Sequence, residues 1–153
     1  MTATEAHRAV AALLATYAAL IDAGDFDGVA DLLADAVITT DGDVVVASGR
    51  DEIVALYAST TKRHEDGTPL TSHVITNLIV EPSGVVDQYV ARSYFTVLQA
   101  TDGVPLQPII AGRYRDVVEH RAGRWVFVER CMDPRLFGDL RYHLRIDLAG
   151  GTV

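Results

Sequence analysis

The first part of the chain has apolar residues at the spacing of α-helices. Residues 9–21 contain no charged side chain. The apolar positions among them repeat every three or four residues: Val10, Leu13, Leu14, Tyr17, Leu20 and Ile21. This pattern predicts a helix that is buried around most of its circumference. Gly24 is a typical C-terminal cap for this helix, and Asp25 is a typical N-cap for a second amphipathic helix through Leu33.

A short hairpin and a third helix are predicted next. The β-branched runs Val37–Thr40 and 44–47 flank an Asp-Gly-Asp turn at 41–43. Residues 48–52 then have the composition of a helix start. The apolar residues of this third helix fall on one side: Ile53, Leu56 and Tyr57.

The second half of the chain has the pattern of long strands. The predicted strands span residues 70–81, 86–99, 108–120 and 124–132. Turn-forming residues separate them, and consecutive strands on short turns indicate an antiparallel sheet. Because the helices precede these strands, the order predicts an α+β fold. A strongly curved sheet around the apolar first helix would leave a cavity, and such cavities bind small molecules.

Composition favours one domain and disfavours polyanionic partners. The 153 residues are 49% hydrophobic, which suffices for one sizeable core. A formal charge of −8 would repel nucleic-acid phosphates and anionic lipid headgroups. Residues 1–8 lack the order of a secretory signal, and no apolar run approaches the roughly 20 residues of a membrane span, so we expect a cytoplasmic protein. Cys131 has no partner for a disulfide or a structural metal site.

The C-terminal region is predicted to belong to the same domain, which spans residues 1–153. Its pattern is less regular from residue 133 onwards, and residues from about 140 to 153 are expected to form a flexible tail. Three of its residues are expected to close the cavity or to contact a partner subunit: Phe137, Tyr142 and Leu144.

Asp22 is a candidate pocket carboxylate. It is the first charge after the uncharged helix, and it lies on the helix side of three small residues: Ala11, Ala15 and Ala18. Burial there would raise its pKa, and such a carboxylate can act as a base or orient one. The alternative is an exposed aspartate at a helix end, which is common in turns.

His73 is the candidate proton acceptor. Regular strand alternation places His73 on one face with Ile75, Asn77 and Ile79. A carboxylate that holds one imidazole nitrogen prepares the other for proton transfer, so Asp22 and His73 would form an acid/base dyad. The alternative is a core histidine that is hydrogen-bonded to a backbone carbonyl.

Arg130 and Tyr17 are further catalytic candidates. Arg130 lies on a strand face that is otherwise apolar, and a buried guanidinium needs a carboxylate or an anionic ligand. It would either pair with Asp22 or stabilise a carbonyl or enolate oxygen. Tyr17 lies on the apolar stripe of the first helix, about 140° around the helix from Asp22. It is a candidate acid or substrate anchor, or else a core aromatic residue.

Four residues complete the predicted site as substrate-binding positions: Asn77, Ser93, Leu14 and Phe137. Ser93 and Tyr94 are neighbours on one strand, so only one of them can face inward. The five histidines lack metal-ligand spacing, and no nucleotide-binding or serine-nucleophile motif occurs. The sequence therefore predicts a site with no metal and no cofactor.

Six segments resemble a known family: LLATYAALIDAGDFDGVADLLADAV, GRDEIVALY, SHVITNLIV, GRYRD, GRWVFVER and DPRLFGDLRYHL. In their order and spacing, across nearly the whole chain, they resemble the SnoaL-like group of the nuclear transport factor 2-like superfamily. The resemblance implies a cone-shaped α+β barrel, also called cystatin-like. In this fold three N-terminal helices pack on a strongly curved, mainly antiparallel sheet.

The resemblance also implies roles for individual residues. Dehydratase and dehydrochlorinase members use an aspartate of the first helix and a strand histidine as a dyad, and Asp22 and His73 stand at the matching positions. Tyr17 and Arg130 resemble a tyrosine of the first helix and an arginine of the last strand. The second active-site histidine of scytalone dehydratase has no counterpart between Val86 and Leu98. A homodimer or homotrimer is implied by analogy.

These observations lead to the hypothesis of a cofactor-free lyase or isomerase of the dehydratase type. His73, oriented by Asp22, would remove a proton from a small, cyclic, mostly apolar substrate. One alternative is a non-catalytic module that binds small molecules, or a small structural subunit of a ring-hydroxylating oxygenase. Further alternatives are a polyketide cyclase and an epoxide hydrolase, because one fold hosts many chemistries.

Overall fold

Helices and strands follow one another in the order that the hydrophobic pattern predicts. The computed structural model describes residues 2–40 and 43–146. The helices in these ranges are α1 (Ala3–Asp22), α2 (Phe26–Leu32) and α3 (Arg50–Thr60). The strands are β1 (Val37–Thr40), β2 (Val44–Ser48), β3 (Thr71–Pro82), β4 (Gln88–Thr101), β5 (Val104–Arg121) and β6 (Arg124–Phe137). None of the helices described here is both long and apolar enough to span a membrane.

The strands form one mixed sheet that is not closed. Their order is β2-β1-β6-β5-β4-β3, so β2 and β3 are its edges. All neighbours are antiparallel except β1 and β6, which run parallel. The predicted α+β class with three helices packed on a mainly antiparallel sheet is confirmed, with an open sheet in place of a complete barrel.

Helix α1 is the main support of the sheet. It starts six residues earlier than the apolar pattern indicates, because Thr2 and Glu5 form a capping box. Its apolar stripe is buried and comprises Ala6, Val10, Leu14, Tyr17 and Ile21. The helix packs against β3, whereas α2 packs against α3 and α3 against β2. The edge strand that carries His73 is therefore covered by α1.

A bulge in β3 changes the predicted alternation. Asn77 has a φ of 55°, and the pairing register with β4 shifts between Thr76 and Ile79. An extra residue in one strand turns the following side chains to the opposite face. Ile79 is consequently 52% exposed and pairs with Arg92, so the prediction that it shares the face of His73 is wrong.

Strand β6 is longer than predicted. It continues past Met132 to Phe137, and its last residues pair with β5, including Pro134 with Gly112. A Cβ at Gly112 would collide with the carbonyl oxygen of Asp133, so the missing side chain allows this close approach.

The region beyond β6 is anchored as far as residue 146. An isolated antiparallel bridge joins Leu144 to Thr61 at the end of α3. Backbone hydrogen bonds from Lys62 to His143 and from Arg145 to Thr60 flank this bridge. The first part of the predicted tail, as far as residue 146, is therefore folded onto the domain. Residues 147–153 of this tail lie outside the described residues.

We predict that Gly24→Ala destabilises the domain more than Gly84→Ala does. Both glycines have positive φ values, 71° and 95°. A Cβ at Gly24 would also collide with the carbonyl oxygen of Gly67, whereas no atom lies within 4 Å at Gly84. The change at Gly84 should lower the free energy of unfolding by about 1 kcal/mol, and the change at Gly24 by at least ~1 kcal/mol more.

Urea unfolding followed by the fluorescence of the one tryptophan, Trp125, measures both values. Equal losses of unfolding free energy in the two variants would show that the contact between Gly24 and the Gly67 carbonyl does not affect stability.

Candidate functional site

A mostly apolar cavity lies between helices α1 and α3 and the inner face of the sheet. Its volume is about 300 Å³, which suits a small cyclic molecule. Six aromatic or imidazole side chains contribute to its wall: Tyr17, Tyr57, His73, Phe95, Tyr114 and His143. No Asp, Glu, Lys or Arg side chain is among the described residues that line it.

Asp22 and His73 are directly hydrogen-bonded. Asp22 Oδ1 lies 2.6 Å from His73 Nδ1, and Asp22 Oδ2 accepts the His73 backbone N–H at 2.8 Å. The Thr71 hydroxyl donates to Oδ1 at 2.8 Å. The last residue of α1 thus holds the imidazole at the start of β3, and the predicted proximity of these two residues agrees with the structure.

These contacts keep Asp22 ionised. Burial alone would raise its pKa, as the sequence suggested. The hydrogen bonds from the His73 side chain and backbone, the positive charge of His73 when protonated and the Thr71 hydroxyl together outweigh burial, so the pKa of Asp22 is lowered. The carboxylate therefore orients the imidazole and does not itself act as a raised-pKa base.

The hydrogen bond with Asp22 determines which ring nitrogen of His73 carries the proton. An ionised carboxylate can only accept hydrogen bonds, so the proton of the neutral ring is on Nδ1. Nε2 then carries the lone pair, and it has no hydrogen-bond partner among residues 2–40 and 43–146. The side chain is only 6% exposed, and the ring of Tyr17 meets it edge-on at 6.3 Å. This arrangement allows Nε2 to accept a proton from a molecule in the cavity.

Three tyrosines form a second polar group in the wall. The hydroxyls of Tyr17 and Tyr57 are 3.0 Å apart, and the rings of Tyr17 and Tyr114 meet edge-on at 6.0 Å. Burial, followed by the neighbouring Tyr17, raises the pKa of Tyr57 and of Tyr114 well above the ordinary value. Both hydroxyls therefore stay protonated and can donate hydrogen bonds to a ligand oxygen.

Arg130 lies behind this group and not in the cavity wall. It is fully buried and forms a two-pronged pair with Asp116, with Nε–Oδ1 at 2.8 Å and Nη2–Oδ2 at 3.1 Å. Although burial opposes the charge, the attraction and hydrogen bonds of Asp116 raise the pKa of Arg130. Its guanidinium is 4.1 Å from the ring centre of Tyr17 and 4.3 Å from that of Tyr114. Arg130 therefore pairs with Asp116 and not with Asp22. It supports the rings of Tyr17 and Tyr114 and does not line the cavity, where it could contact a ligand.

The four predicted substrate-binding residues lie outside this cavity wall. Leu14 and Asn77 line a separate groove between α1 and β3, which meets the cavity only at His73. Ser93 faces inward but is buried beneath the wall, while its neighbour Tyr94 faces outward. Phe137 is 47% exposed at the end of β6. Of the tail residues expected to close the cavity, Leu144 does line it.

His143 is a site residue that the sequence pattern did not indicate. It is 7% exposed and lines the same cavity as His73. Burial, and next the positive charge of a protonated His73, lower the pKa of His143 to about 4, so the ring is neutral at pH 7. It lies in the irregular region after β6, where no strand or helix periodicity marks an inward side chain.

Tyr114 and Asp116 could have been found from the sequence. In GRYRD the two arginines alternate with Tyr114 and Asp116, so an outward arginine row implies an inward tyrosine and aspartate. No group of three His, Cys, Asp or Glu side chains suited to a metal ion occurs in the part of the chain that the structure describes.

The comparison with protein families agrees with this architecture. The SnoaL-like domain family matches residues 2–131. The chain belongs to this family. No curated protein matches it significantly.

Solved structures of similar fold come from Novosphingobium aromaticivorans. A candidate scytalone dehydratase is 21% identical to the SnoaL-like domain, with a TM-score of 0.69, over 89% of this chain and 88% of that chain. The beta subunit of a candidate aromatic-ring-hydroxylating dioxygenase is 17% identical, with a TM-score of 0.70, over 94% and 99%. A nuclear transport factor 2-like protein with a cystatin-like fold is 21% identical, with a TM-score of 0.67, over 85% and 82%. At these identities the likeness establishes the fold.

We predict that Asp116→Asn strongly destabilises this SnoaL-like domain. The change leaves the fully buried Arg130 without a counter-charge, which should lower the free energy of unfolding by about 3–5 kcal/mol. Glu81→Gln is the control, because Glu81 pairs with Arg92 on the surface and its loss should have an effect below ~1 kcal/mol.

Urea unfolding again provides the measurement. The double variant Asp116→Leu, Arg130→Met should be more stable than Asp116→Asn, because it removes the uncompensated charge as well. Similarly small losses of unfolding free energy for Asp116→Asn and for Glu81→Gln would contradict a stabilising role of the Arg130–Asp116 ion pair.

Proposed function

We propose that the domain is a cofactor-free lyase or isomerase of the dehydratase type. Its substrate is a small, cyclic, mostly apolar molecule with a carbonyl group, and His73 is the proton acceptor. The observation that carries this proposal is the Asp22–His73 hydrogen bond of 2.6 Å, with Nε2 of His73 left unpartnered at the wall of an apolar cavity.

The proton transfer follows from the state of the two side chains. Nε2 of neutral His73 takes a proton from the carbon next to the carbonyl, and the C–H electron pair begins to form a C=C bond. The imidazolium that results is stabilised by the ionised Asp22 on its other side. A positioned acceptor of this kind typically contributes a factor of about 10² to 10⁴ in rate.

The second half of the reaction decides between elimination and isomerisation. In an elimination the β-hydroxyl leaves with its bonding electrons and takes the proton from Nε2, so that the products are water and a conjugated ketone. In an isomerisation the same proton returns to a different carbon. Both reactions regenerate neutral His73 and require no external oxidant or reductant.

Tyrosine hydroxyls support the developing charge. During proton removal the carbonyl oxygen becomes enolate-like, and a protonated hydroxyl of the Tyr17–Tyr57 pair can donate to it. Such preorganised donors are worth more in a cavity with few polar groups than in water. The fold shared with a candidate scytalone dehydratase supports this class of reaction by analogy.

We predict that His73→Ala abolishes turnover of cyclic β-hydroxy ketones. A panel of such ketones and of cyclic enones is followed by the ultraviolet absorbance of the conjugated system. Loss of the acceptor should lower kcat/KM by at least about 10², and Asp22→Asn by roughly 10 to 10³, because the amide no longer fixes the Nδ1 proton.

His120→Gln is the matched control. His120 packs against Trp125, 5.3 Å between ring centres, and does not line the cavity. This variant should retain activity, and circular dichroism should show that all three variants are folded. Undiminished turnover by His73→Ala would refute the assignment. Ketone binding with no turnover by the unsubstituted protein would favour the alternative of a non-catalytic binding module.

A further inference from the structure

His143 is a buried imidazole for which the proposed reaction has no role so far. It is supplied by the segment after β6, whereas His73 is supplied by the edge strand β3, and both line one cavity. Unlike His73, it is not hydrogen-bonded to a carboxylate in the part of the chain that the structure describes. The side chains whose charges act on it are His73, Asp22 and His64.

The backbone around His143 is held on both sides. Its N–H donates to Leu140 O at 3.0 Å, and its carbonyl accepts from Lys62 N at 2.8 Å. The neighbouring Tyr142 carbonyl accepts from Gln99 Nε2 at 3.1 Å and lies 3.0 Å from His64 Nε2. The backbone that carries the ring is therefore in place before any ligand arrives, which lowers the entropy lost on binding.

The two ring nitrogens of His143 differ. Nδ1 is completely buried without a hydrogen-bond partner. A buried N–H without a partner is rarer than a buried acceptor without one, so the neutral ring carries its proton on Nε2. Nε2 also has no partner among the described residues, but it is not sealed off as Nδ1 is. His143 thus offers a donor where His73 offers an acceptor.

We propose that His143 is a substrate-binding residue that donates a hydrogen bond from Nε2 to a second oxygen of the substrate, a hydroxyl separate from the carbonyl. Of the ketones considered above, this contact selects the cyclic hydroxy ketones over ketones that carry no hydroxyl. This inference rests on the proposed function for its substrate class, because the same cavity holds the reacting carbonyl.

A neutral donor also suits the charge changes at the site. When His73 takes up a proton it becomes a cation, and a charged His143 nearby would oppose that step. A neutral imidazole can still polarise an oxygen through its N–H. His143 therefore binds oxygen without competing with His73 for the proton.

The test measures binding and not turnover. In the His73→Ala background, which should be inactive, the affinities of 1-decalone and 3-hydroxy-1-decalone are measured by calorimetry. We expect the hydroxy ketone to bind about tenfold more tightly. His143→Phe should abolish this preference and leave the affinity for 1-decalone nearly unchanged, and His143→Gln, which keeps a donor, should restore part of it.

Failure of this inference differs from failure of the proposed function. Equal affinities for the two ketones, an unchanged preference in His143→Phe, or no binding of either ketone would overturn the role of His143. A preference that depends on His143, together with an unsubstituted protein that does not convert the hydroxy ketone, would overturn the reaction alone. Thermal unfolding confirms that each variant is folded, and His143→Gln remains the test if the phenylalanine variant is not.

Discussion

The hydrogen bonds that the Asp22 carboxylate accepts are the contacts on which the site depends. Asp22 ends α1 and accepts three hydrogen bonds from the first residues of β3: the Thr71 hydroxyl, the His73 backbone N–H and His73 Nδ1. The edge strand is thereby fixed to the helix at the same place where the imidazole is oriented. One ionised group with a lowered pKa thus serves both the packing of α1 on the sheet and the tautomer of His73.

The tyrosine part of the cavity wall is organised without any net charge. The pair Arg130–Asp116 is fully buried, and the guanidinium lies against the ring faces of Tyr17 and Tyr114. A buried ion pair is weak evidence of stability in itself, but it can fix one arrangement of the groups around it. Here it lies against the ring of Tyr114, and burial raises the pKa of Tyr114 and of Tyr57 well above the ordinary value, so this wall offers neutral donors.

The order of elements could be predicted from the sequence, because helix periodicity and strand alternation determine it. The nearness of Asp22 to His73 follows from the resemblance to the SnoaL-like group, in which an aspartate of the first helix and a strand histidine form a dyad. The outward position of Ile79 could not be predicted, since one bulge residue at Asn77 reverses the alternation after it. The otherwise apolar strand face indicates that Arg130 is a buried cation, yet its partner depends on the register between β5 and β6, which places it opposite Asp116. His143 follows the last strand, where no periodic pattern indicates which side chains face inward.

The charges of the described residues also restrict the ligand. No Lys or Arg lines the cavity, and the nearest carboxylate, Asp22, is already satisfied by three donors. An anionic molecule would therefore lose its hydration without gaining a cation, whereas a neutral one loses little. In the proposed reaction, a proton that moves from a neutral molecule to His73 would create an imidazolium beside Asp22, and the enolate-like oxygen it leaves behind would meet the neutral hydroxyl donors of the tyrosines. The cavity thus favours chemistry that separates charge only briefly and begins and ends with neutral molecules.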